Sequence, residues 1–285
     1  MDFRLTKEEA LFQKMCREFA LNEVEPIAAE IDAEERYPEE TVQKLMKYGL
    51  MGIQFPKEVG GSGGNYVCYT IAIEEMSRVC ATTGAIISAH GTLGAWPIYA
   101  FGTPEQKEKW LRPLITAKEG AKLGAFGLTE PNAGSDPAAM RATAVKDGDE
   151  YILNGTKTFI TNGAVASVFV GFFKTNPAAG HKGISAFIID ADAPGVTVGA
   201  HENKMGLRLS NTTDLIFENV RVKASAMVGP EGSGFKLAMN ALNLSRAFVA
   251  TLAVGIMQRA LDESVKYAKD RKQFNTPIIK FQMVQ

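Results

Sequence analysis

The sequence predicts an α+β protein of several domains: an N-terminal helical domain, a central antiparallel β-barrel or sandwich, and the start of a C-terminal helical bundle. Residues 1–120 carry apolar side chains at helical spacing. Residues 121–228 contain short apolar runs separated by glycine and proline. Residues 229–285 include about 37 consecutive residues without proline. These three residue patterns follow one another along the chain and indicate three structural units.

Two capping signals and one stop signal support the helical interpretation of the first unit. Thr6 precedes Glu9, and Thr103 precedes Gln106, by the three residues that a capping box requires. A further helix is expected to start near Pro38 and to stop at Gly49, because proline suits a first helical turn and glycine suits a helix end.

Turn signals divide the second unit into strands. Asp147-Gly148 and Asn154-Gly155 are both typical of tight hairpin turns, because their residues adopt positive φ at low cost. Three short runs rich in β-forming residues follow, at 168–173, 184–189 and 215–217. Several short strands at this spacing favour an antiparallel sheet over alternating strands and helices.

The third unit begins with an unusually long helix, predicted over 234–270. Its apolar residues go almost all the way round the helix, so other helices are expected to surround it. Few residues follow it. We therefore expect either that the chain is incomplete at its C-terminus or that other subunits cover this helix.

Composition narrows the classes of protein. The chain has 285 residues, 46% of them hydrophobic, and a formal net charge of −1. This balance argues against a nucleic-acid-binding protein. Three scattered cysteines and three scattered histidines give no metal-binding spacing. No signal peptide and no apolar run of about 20 residues is present, which predicts a cytoplasmic protein without a membrane span.

Five segments, in order along the chain, resemble motifs of the acyl-CoA dehydrogenase family. They are 126–136 (FGLTEPNAGSD), 157–163 (KTFITNG), 204–208 (KMGLR), 229–235 (GPEGSGF) and 271–274 (RKQF). One such motif would be weak evidence, but an ordered set that spans nearly the whole chain is specific. The chain looks closest to the short-chain, butyryl-CoA dehydrogenase group.

The resemblance implies an FAD-dependent enzyme that oxidises an acyl-CoA to the trans-2-enoyl-CoA. A base would remove a proton from C2 while a hydride passes from C3 to the flavin, and an electron-transfer flavoprotein would receive the electrons. The family also implies a homo-oligomer, a tetramer or a dimer. Two alternatives stay open: a non-catalytic homologue that binds flavin and acyl-CoA, and an acyl-CoA oxidase with oxygen as electron acceptor.

The resemblance also implies which residues contact each ligand. Asn243 and Arg246 would bind the CoA portion, together with Ser135. The resemblance further implies that Arg271, Gln273, Phe274 and Gln282 contact the FAD of a neighbouring subunit. The FAD of the same subunit would be contacted by Phe126, Leu128, Thr129, Gly134, Ser135, Phe159, Ile160 and Thr161.

No catalytic base matches the family pattern in this chain. Some relatives carry a glutamate where Ser245 stands, and others carry it in a motif near their C-terminus that lies beyond residue 285. Glu130 is a carboxylate within a motif, but the family places it in a structural loop. The base is therefore expected outside this chain.

Overall fold

A computed structural model describes residues 4–116 and 120–285, and residues 4–116 are mainly helical. Three π-helical segments, Ala20–Val24, Ala89–Ala95 and Lys107–Leu111, join neighbouring α-helices into longer units. The α-helices are α1 (Lys7–Phe19), α2 (Glu25–Glu34), α3 (Glu39–Lys47), α4 (Tyr66–Val79), α5 (Ala81–Ser88), α6 (Trp96–Phe101), α7 (Pro104–Gln106) and α8 (Arg112–Thr116).

Both predicted capping boxes are confirmed. The Thr6 hydroxyl accepts from the Glu9 amide at 3.2 Å, and the Glu9 carboxylate accepts from the Thr6 amide at 2.9 Å. Thr103 and Gln106 make the same reciprocal pair at 3.2 and 3.0 Å. Each pair satisfies two backbone donors that a helix N-terminus leaves free, which explains why local sequence sufficed to locate these starts.

A single large sheet follows the helices, and it is mostly antiparallel as predicted. Its strand order is β6-β7-β3-β2-β4-β5-β8, with β1 added beside β4. The β1–β4 pairing and one β2–β4 contact are parallel. The strands are β1 (Leu123–Gly127), β2 (Thr143–Asp147), β3 (Glu150–Thr161), β4 (Ala166–Lys174), β5 (Ile184–Asp190), β6 (Val196–His201), β7 (Thr212–Lys223) and β8 (Met227–Val228).

One of the two predicted hairpin turns is wrong. The turn at Asp147-Gly148 joins β2 to β3, but Asn154-Gly155 lies inside β3. There the β3–β7 register shifts, and Gly155 has a φ of 138°. A Cβ at Gly155 would lie 2.5 Å from the Ala142 Cβ. Glycine therefore serves a bulge and a close contact at this position rather than a turn.

The long helix α9 (Gly234–Asp270) is confirmed as one continuous element of 37 residues. One face packs on α4, α5 and β5 and buries side chains such as Leu237 and Phe248. The other face exposes large apolar side chains, among them Met257 at 60% and Leu261 at 57%. Of the predicted C-terminal bundle, the described residues thus supply one helix with one covered face. A small hairpin of β9 (Lys272–Gln273) and β10 (Thr276–Pro277) follows it.

By length and composition alone, α9 is long and apolar enough to cross a membrane. The mean hydropathy of its most apolar 18-residue window is 1.4. A core helix of a soluble protein meets the same criterion, and the packing of α9 on α4 and α5 fits that case. The absence of a membrane span therefore stays a prediction.

Candidate active site

A cavity of about 370 Å³ lies where the C-terminal end of β1 meets the π-helical segment Ala89–Ala95 and α9. Its walls combine aliphatic and aromatic side chains with a few hydroxyl groups, as is typical of small-molecule sites. The lining residues are Ala89, Leu93, Ala125, Phe126, Leu128, Thr129, Gly134, Ser135, Pro137, Phe159, Ile160, Thr161, Met239, Leu242 and Arg246.

A buried histidine and two glycines hold β1 in place at this cavity. The Nδ1 atom of His90 accepts a hydrogen bond from the Gly124 amide at 3.1 Å. Burial lowers the pKa of His90 to about 4, so the ring is neutral at pH 7 and Nδ1 can accept. Gly94 packs directly on Gly124, where no side chain would fit. Sequence reasoning assigned no role to His90, because its partner lies 34 residues away.

A buried ion pair anchors the loop that leaves β1. The Nζ atom of Lys157, a residue with no exposed surface, lies 2.7 Å from Oε1 of Glu130, which is 7% exposed. Glu130 also accepts from the amides of Arg141 and Ala142 at 2.6 and 3.0 Å. Its carboxylate therefore ties the beginning of the loop to its end and to β3. These partners give Glu130 a structural role, as the family pattern implied.

Phe159 adopts a strained backbone conformation beside the cavity. Its φ is 57°, in the left-handed region that phenylalanine seldom occupies. The β3–β7 register is interrupted between Lys157 and Ile160, which turns this side chain out of the sheet. The ring is 63% exposed and lines the cavity. Backbone strain of this kind costs about 1–3 kcal/mol and concentrates at ligand sites.

Gly134 faces open space within the cavity wall. A Cβ built on this residue would meet no atom of the chain within 4 Å, and its φ is not positive. Neither local conformation nor packing within the chain therefore requires glycine at this position. The residue leaves room for a group outside the chain to approach the backbone closely.

The predicted site residues fall into two groups in the structure. Eight that were assigned to the FAD of the same subunit line this single cavity, and Arg246 joins them. Asn243 is not part of the lining, but its Oδ1 accepts from Arg246 Nη1 at 2.8 Å and so orients the guanidinium. The eight residues are Phe126, Leu128, Thr129, Gly134, Ser135, Phe159, Ile160 and Thr161.

The second group lies far from the cavity. Arg271, Gln273, Phe274 and Gln282 are exposed residues at and beyond the end of α9, and none of them lines the cavity. Arg271 follows Arg246 by 25 residues, which corresponds to about 37 Å of helix. Phe274 is 91% exposed at the tip of the β9–β10 hairpin. The distance along α9 places Arg271 out of reach of a small ligand bound in the cavity of the same chain.

The lining residues offer hydroxyl groups and one guanidinium but no carboxylate. Across residues 4–116 and 120–285, no group of three or more His, Cys, Asp or Glu side chains could hold a metal ion. The cavity can therefore bind and orient a ligand through apolar contacts and hydrogen bonds. The described lining contains no side chain suited to removing a proton from carbon.

Comparison with known proteins gives the same family over almost the whole chain. Three family models match in order: the acyl-CoA dehydrogenase N-terminal domain at residues 6–118, the middle domain at 125–220 and the C-terminal domain at 232–285. A short-chain specific acyl-CoA dehydrogenase of Clostridium acetobutylicum is 52% identical over 282 residues, which cover 99% of this chain and 74% of that protein.

Solved structures agree with the sequence relatives. Butyryl-CoA dehydrogenase from Megasphaera elsdenii superimposes with a TM-score of 0.96 at 42% identity, and covers 100% of this chain and 74% of its own. An acyl-CoA dehydrogenase from Bacillus anthracis, complexed with FAD, gives a TM-score of 0.88 at 35% identity, covering 98% of this chain and 47% of its own. The chain therefore belongs to the acyl-CoA dehydrogenase family, and resembles its short-chain and butyryl-CoA-specific members.

Proposed function

We propose that this protein binds FAD and a short-chain acyl-CoA in the cavity beside β1, and takes part in oxidation of the acyl group to the trans-2-enoyl-CoA. The observation that carries the proposal is the convergence on one cavity of eight residues from two motifs that the family resemblance assigned to the cofactor. They come from the end of β1, the following loop and the end of β3, three segments that only the fold brings together.

The residues of the cavity fit a planar aromatic cofactor. The strained and exposed ring of Phe159 offers a stacking surface, and Leu128 and Ile160 offer aliphatic contacts. The hydroxyl groups of Thr129 and Thr161 can bond to polar ring edges. Bound FAD would supply the hydride acceptor, which no amino-acid side chain can replace.

The chain's own contribution to such a reaction is orientation and charge stabilisation. Ser135 and Arg246 both line the cavity, and the guanidinium suits the phosphate groups of CoA. Hydrogen-bond donors near the thioester carbonyl would stabilise the negative charge that develops when C2 loses its proton. The base itself is not among the lining residues, so proton removal needs a group other than these.

The remaining family expectations form part of the same proposal. Arg271, Gln273, Phe274 and Gln282 project from the far end of α9, where they could reach a site in a second copy of the chain. A homo-oligomer, a tetramer or a dimer, is therefore proposed, with an electron-transfer flavoprotein as redox partner and a cytoplasmic location. A flavin-binding homologue without catalysis is the second candidate, because the described lining contains no carboxylate.

Gly134→Ala tests the cofactor site. The chain leaves room for the new methyl group, so we expect the free energy of unfolding to stay within about 0.5 kcal/mol of wild type. Affinity for FAD should fall by roughly 10- to 100-fold, because the methyl group occupies space meant for the ligand. Titration followed by flavin fluorescence measures the affinity. Unchanged FAD affinity in this variant would show that the cofactor does not contact the cavity wall at Gly134.

Anaerobic mixing with butyryl-CoA separates the two candidate functions. The FAD-loaded 285-residue protein is expected to bind butyryl-CoA but to lose its oxidised-flavin absorbance slowly, since no base lines the cavity. A form of the protein that also supplies a base next to the cavity should lose this absorbance rapidly. Calorimetric titration measures binding in the same samples. If butyryl-CoA binds but the flavin absorbance persists both in the 285-residue protein and in the form that supplies a base, the non-catalytic homologue is favoured. If butyryl-CoA does not bind, both candidate functions are refuted.

A further inference from the structure

The second half of α9 extends away from the protein core. From Gly234 to Gly255 the helix buries side chains against the helical domain and the sheet. Within α9, all of which the structure describes, no side chain between Gly255 and Ala268 is buried. Large apolar side chains of this stretch, such as Met257 and Leu261, are exposed instead. Contacts other than apolar packing therefore hold this part of α9 against the rest of the chain.

Gly255 packs directly on the backbone of α4. A Cβ at this residue would lie 2.6 Å from the Glu74 carbonyl oxygen and 2.9 Å from the Arg78 amide nitrogen, so no side chain fits here. Glycine also favours the helical conformation less than any residue except proline, so α9 bends more easily at this point. Gly255 can therefore act as a pivot for residues 256–270, which we call the α9 arm.

Two ion pairs tie the α9 arm to the helical domain just beyond this pivot. Arg259 Nη1 donates to Glu25 Oε1 of α2 at 2.8 Å. Arg78 Nε of α4 donates to Asp262 Oδ2 at 3.1 Å. All four side chains are between 29% and 40% exposed. Pairs this exposed contribute little to stability, but they fix the distance between the helices that they join.

The end of the α9 arm carries the residues proposed to reach a second copy of the chain. The Arg271 amide donates to the Tyr267 carbonyl at 2.8 Å, and the Arg271 carbonyl accepts from the Ile278 amide at 2.9 Å, which fixes the β9–β10 hairpin to the helix. Sixteen residues separate Gly255 from Arg271, or about 24 Å of helix, so a tilt of about 10° at Gly255 displaces Arg271 by about 4 Å. A displacement of this size breaks a hydrogen bond.

We propose that the ion pairs Arg259–Glu25 and Arg78–Asp262 set the direction of the α9 arm and so position Arg271 for the FAD bound in a second copy of the chain. The inference rests on the proposed function, which places Arg271 at the cofactor of a neighbouring subunit. None of the four paired side chains lines the cavity beside β1. They are therefore positioning residues, and their loss changes what a chain contributes to its neighbour rather than its own cavity.

The double variant Arg259→Gln/Asp262→Asn removes both ion pairs. Its urea midpoint and helical circular dichroism should stay close to wild type, because exposed pairs contribute little to stability. Its FAD affinity, measured by flavin-fluorescence titration, should fall roughly tenfold, as expected for the loss of one charge-assisted hydrogen bond. Arg259→Lys/Asp262→Glu retains the charges and should restore most of the affinity. Lys236→Gln is the matched control, because it removes an exposed cation of α9 on the other side of Gly255.

Mixed oligomers distinguish positioning from an effect on the chain's own cavity. In a two-fold dimer, the double variant supplies an intact cavity and Gly134→Ala supplies an intact α9 arm, so a mixed dimer should regain wild-type FAD affinity at about half of its sites. Mixing the double variant with Arg271→Ala should restore no site, because both arms are then defective. Two different affinity tags allow the mixed dimers to be purified before titration.

Wild-type FAD affinity in the double variant overturns the inference and leaves the proposed function standing. A fall that Gly134→Ala does not complement also overturns it, because the pairs would then act on the cavity of their own chain. An equal fall in Lys236→Gln overturns it as a general effect of charge. If Arg271→Ala itself binds FAD as wild type does, the proposed contact between subunits fails and the inference fails with it. Should the double variant not fold, Arg259→Gln alone carries the same comparisons.

Discussion

Lys157→Met is expected to lower the free energy of unfolding by about 3–5 kcal/mol, because it leaves a carboxylate buried without its counter-charge. Glu130 is 7% exposed and Lys157 has no exposed surface, so water cannot replace the lost partner. The methionine side chain has nearly the length of lysine, which keeps the loss of packing small. Urea unfolding followed by circular dichroism measures the change.

The double variant Glu130→Gln/Lys157→Met distinguishes charge from packing. Both charges are then gone, and the glutamine oxygen can still accept from one of the Arg141 and Ala142 amides. We expect the double variant to be more stable than Lys157→Met alone by at least about 1 kcal/mol. Lys146→Met, on the exposed side of β2, should change stability by less than about 0.5 kcal/mol.

Lys157→Met should also reduce ligand binding in the cavity. The Glu130 carboxylate holds both ends of the loop that carries Gly134 and Ser135, and the Thr158 amide donates to the Thr129 carbonyl at 2.9 Å. Loss of the ion pair therefore loosens one wall of the cavity beside β1, and FAD affinity should fall together with stability. A Lys157→Met protein as stable as wild type would show that the pair contributes no net stabilisation.

Elements whose signals are local were predictable from the sequence. The capping boxes at Thr6 and Thr103 consist of contacts within four residues, and the continuous helix at 234–270 follows from the absence of proline. The grouping of Phe126, Thr129, Ser135 and neighbouring residues around one cavity was also predictable. That prediction depended on family motifs, because spacing alone does not bring residues of β1 and β3 together.

Features that depend on distant partners were not predictable. Asn154-Gly155 has the local signal of a hairpin turn, but Asn154 pairs with Asn219 and Gly155 packs on Ala142, so tertiary contacts override the turn. The parallel pairing of β1 with β4 and the hydrogen bond from Gly124 to His90 likewise join segments far apart in the chain. A buried histidine in an apolar helix gives no signal of such a partner.

Gly94→Ala is expected to destabilise the contact between the π-helical segment and β1. The new Cβ would lie 2.4 Å from the Gly124 carbonyl carbon and 2.5 Å from its oxygen. Both are backbone atoms, which cannot move aside as the end of a side chain can. Overpacking of this kind costs about 1–3 kcal/mol, so the urea midpoint should fall accordingly.

Gly94→Ala is also expected to affect ligand binding, because the π-helical segment and β1 both contribute residues to the cavity lining. The π-helical segment contributes Ala89 and Leu93 to the cavity beside β1, and β1 leads into Leu128 and Thr129 of the same lining. Separation of Gly94 from Gly124 would also lengthen the hydrogen bond between the Gly124 amide and His90. We therefore expect FAD and butyryl-CoA affinities to fall together in Gly94→Ala.

Gly206→Ala supplies the matched control for this substitution. A Cβ at Gly206 would meet no atom within 4 Å and its φ is not positive, so stability should change by less than about 0.5 kcal/mol. If Gly94→Ala unfolds at the same urea concentration as Gly206→Ala and wild type, the segment can shift without cost. In that case the backbone contact with β1 does not set the position of the cavity walls.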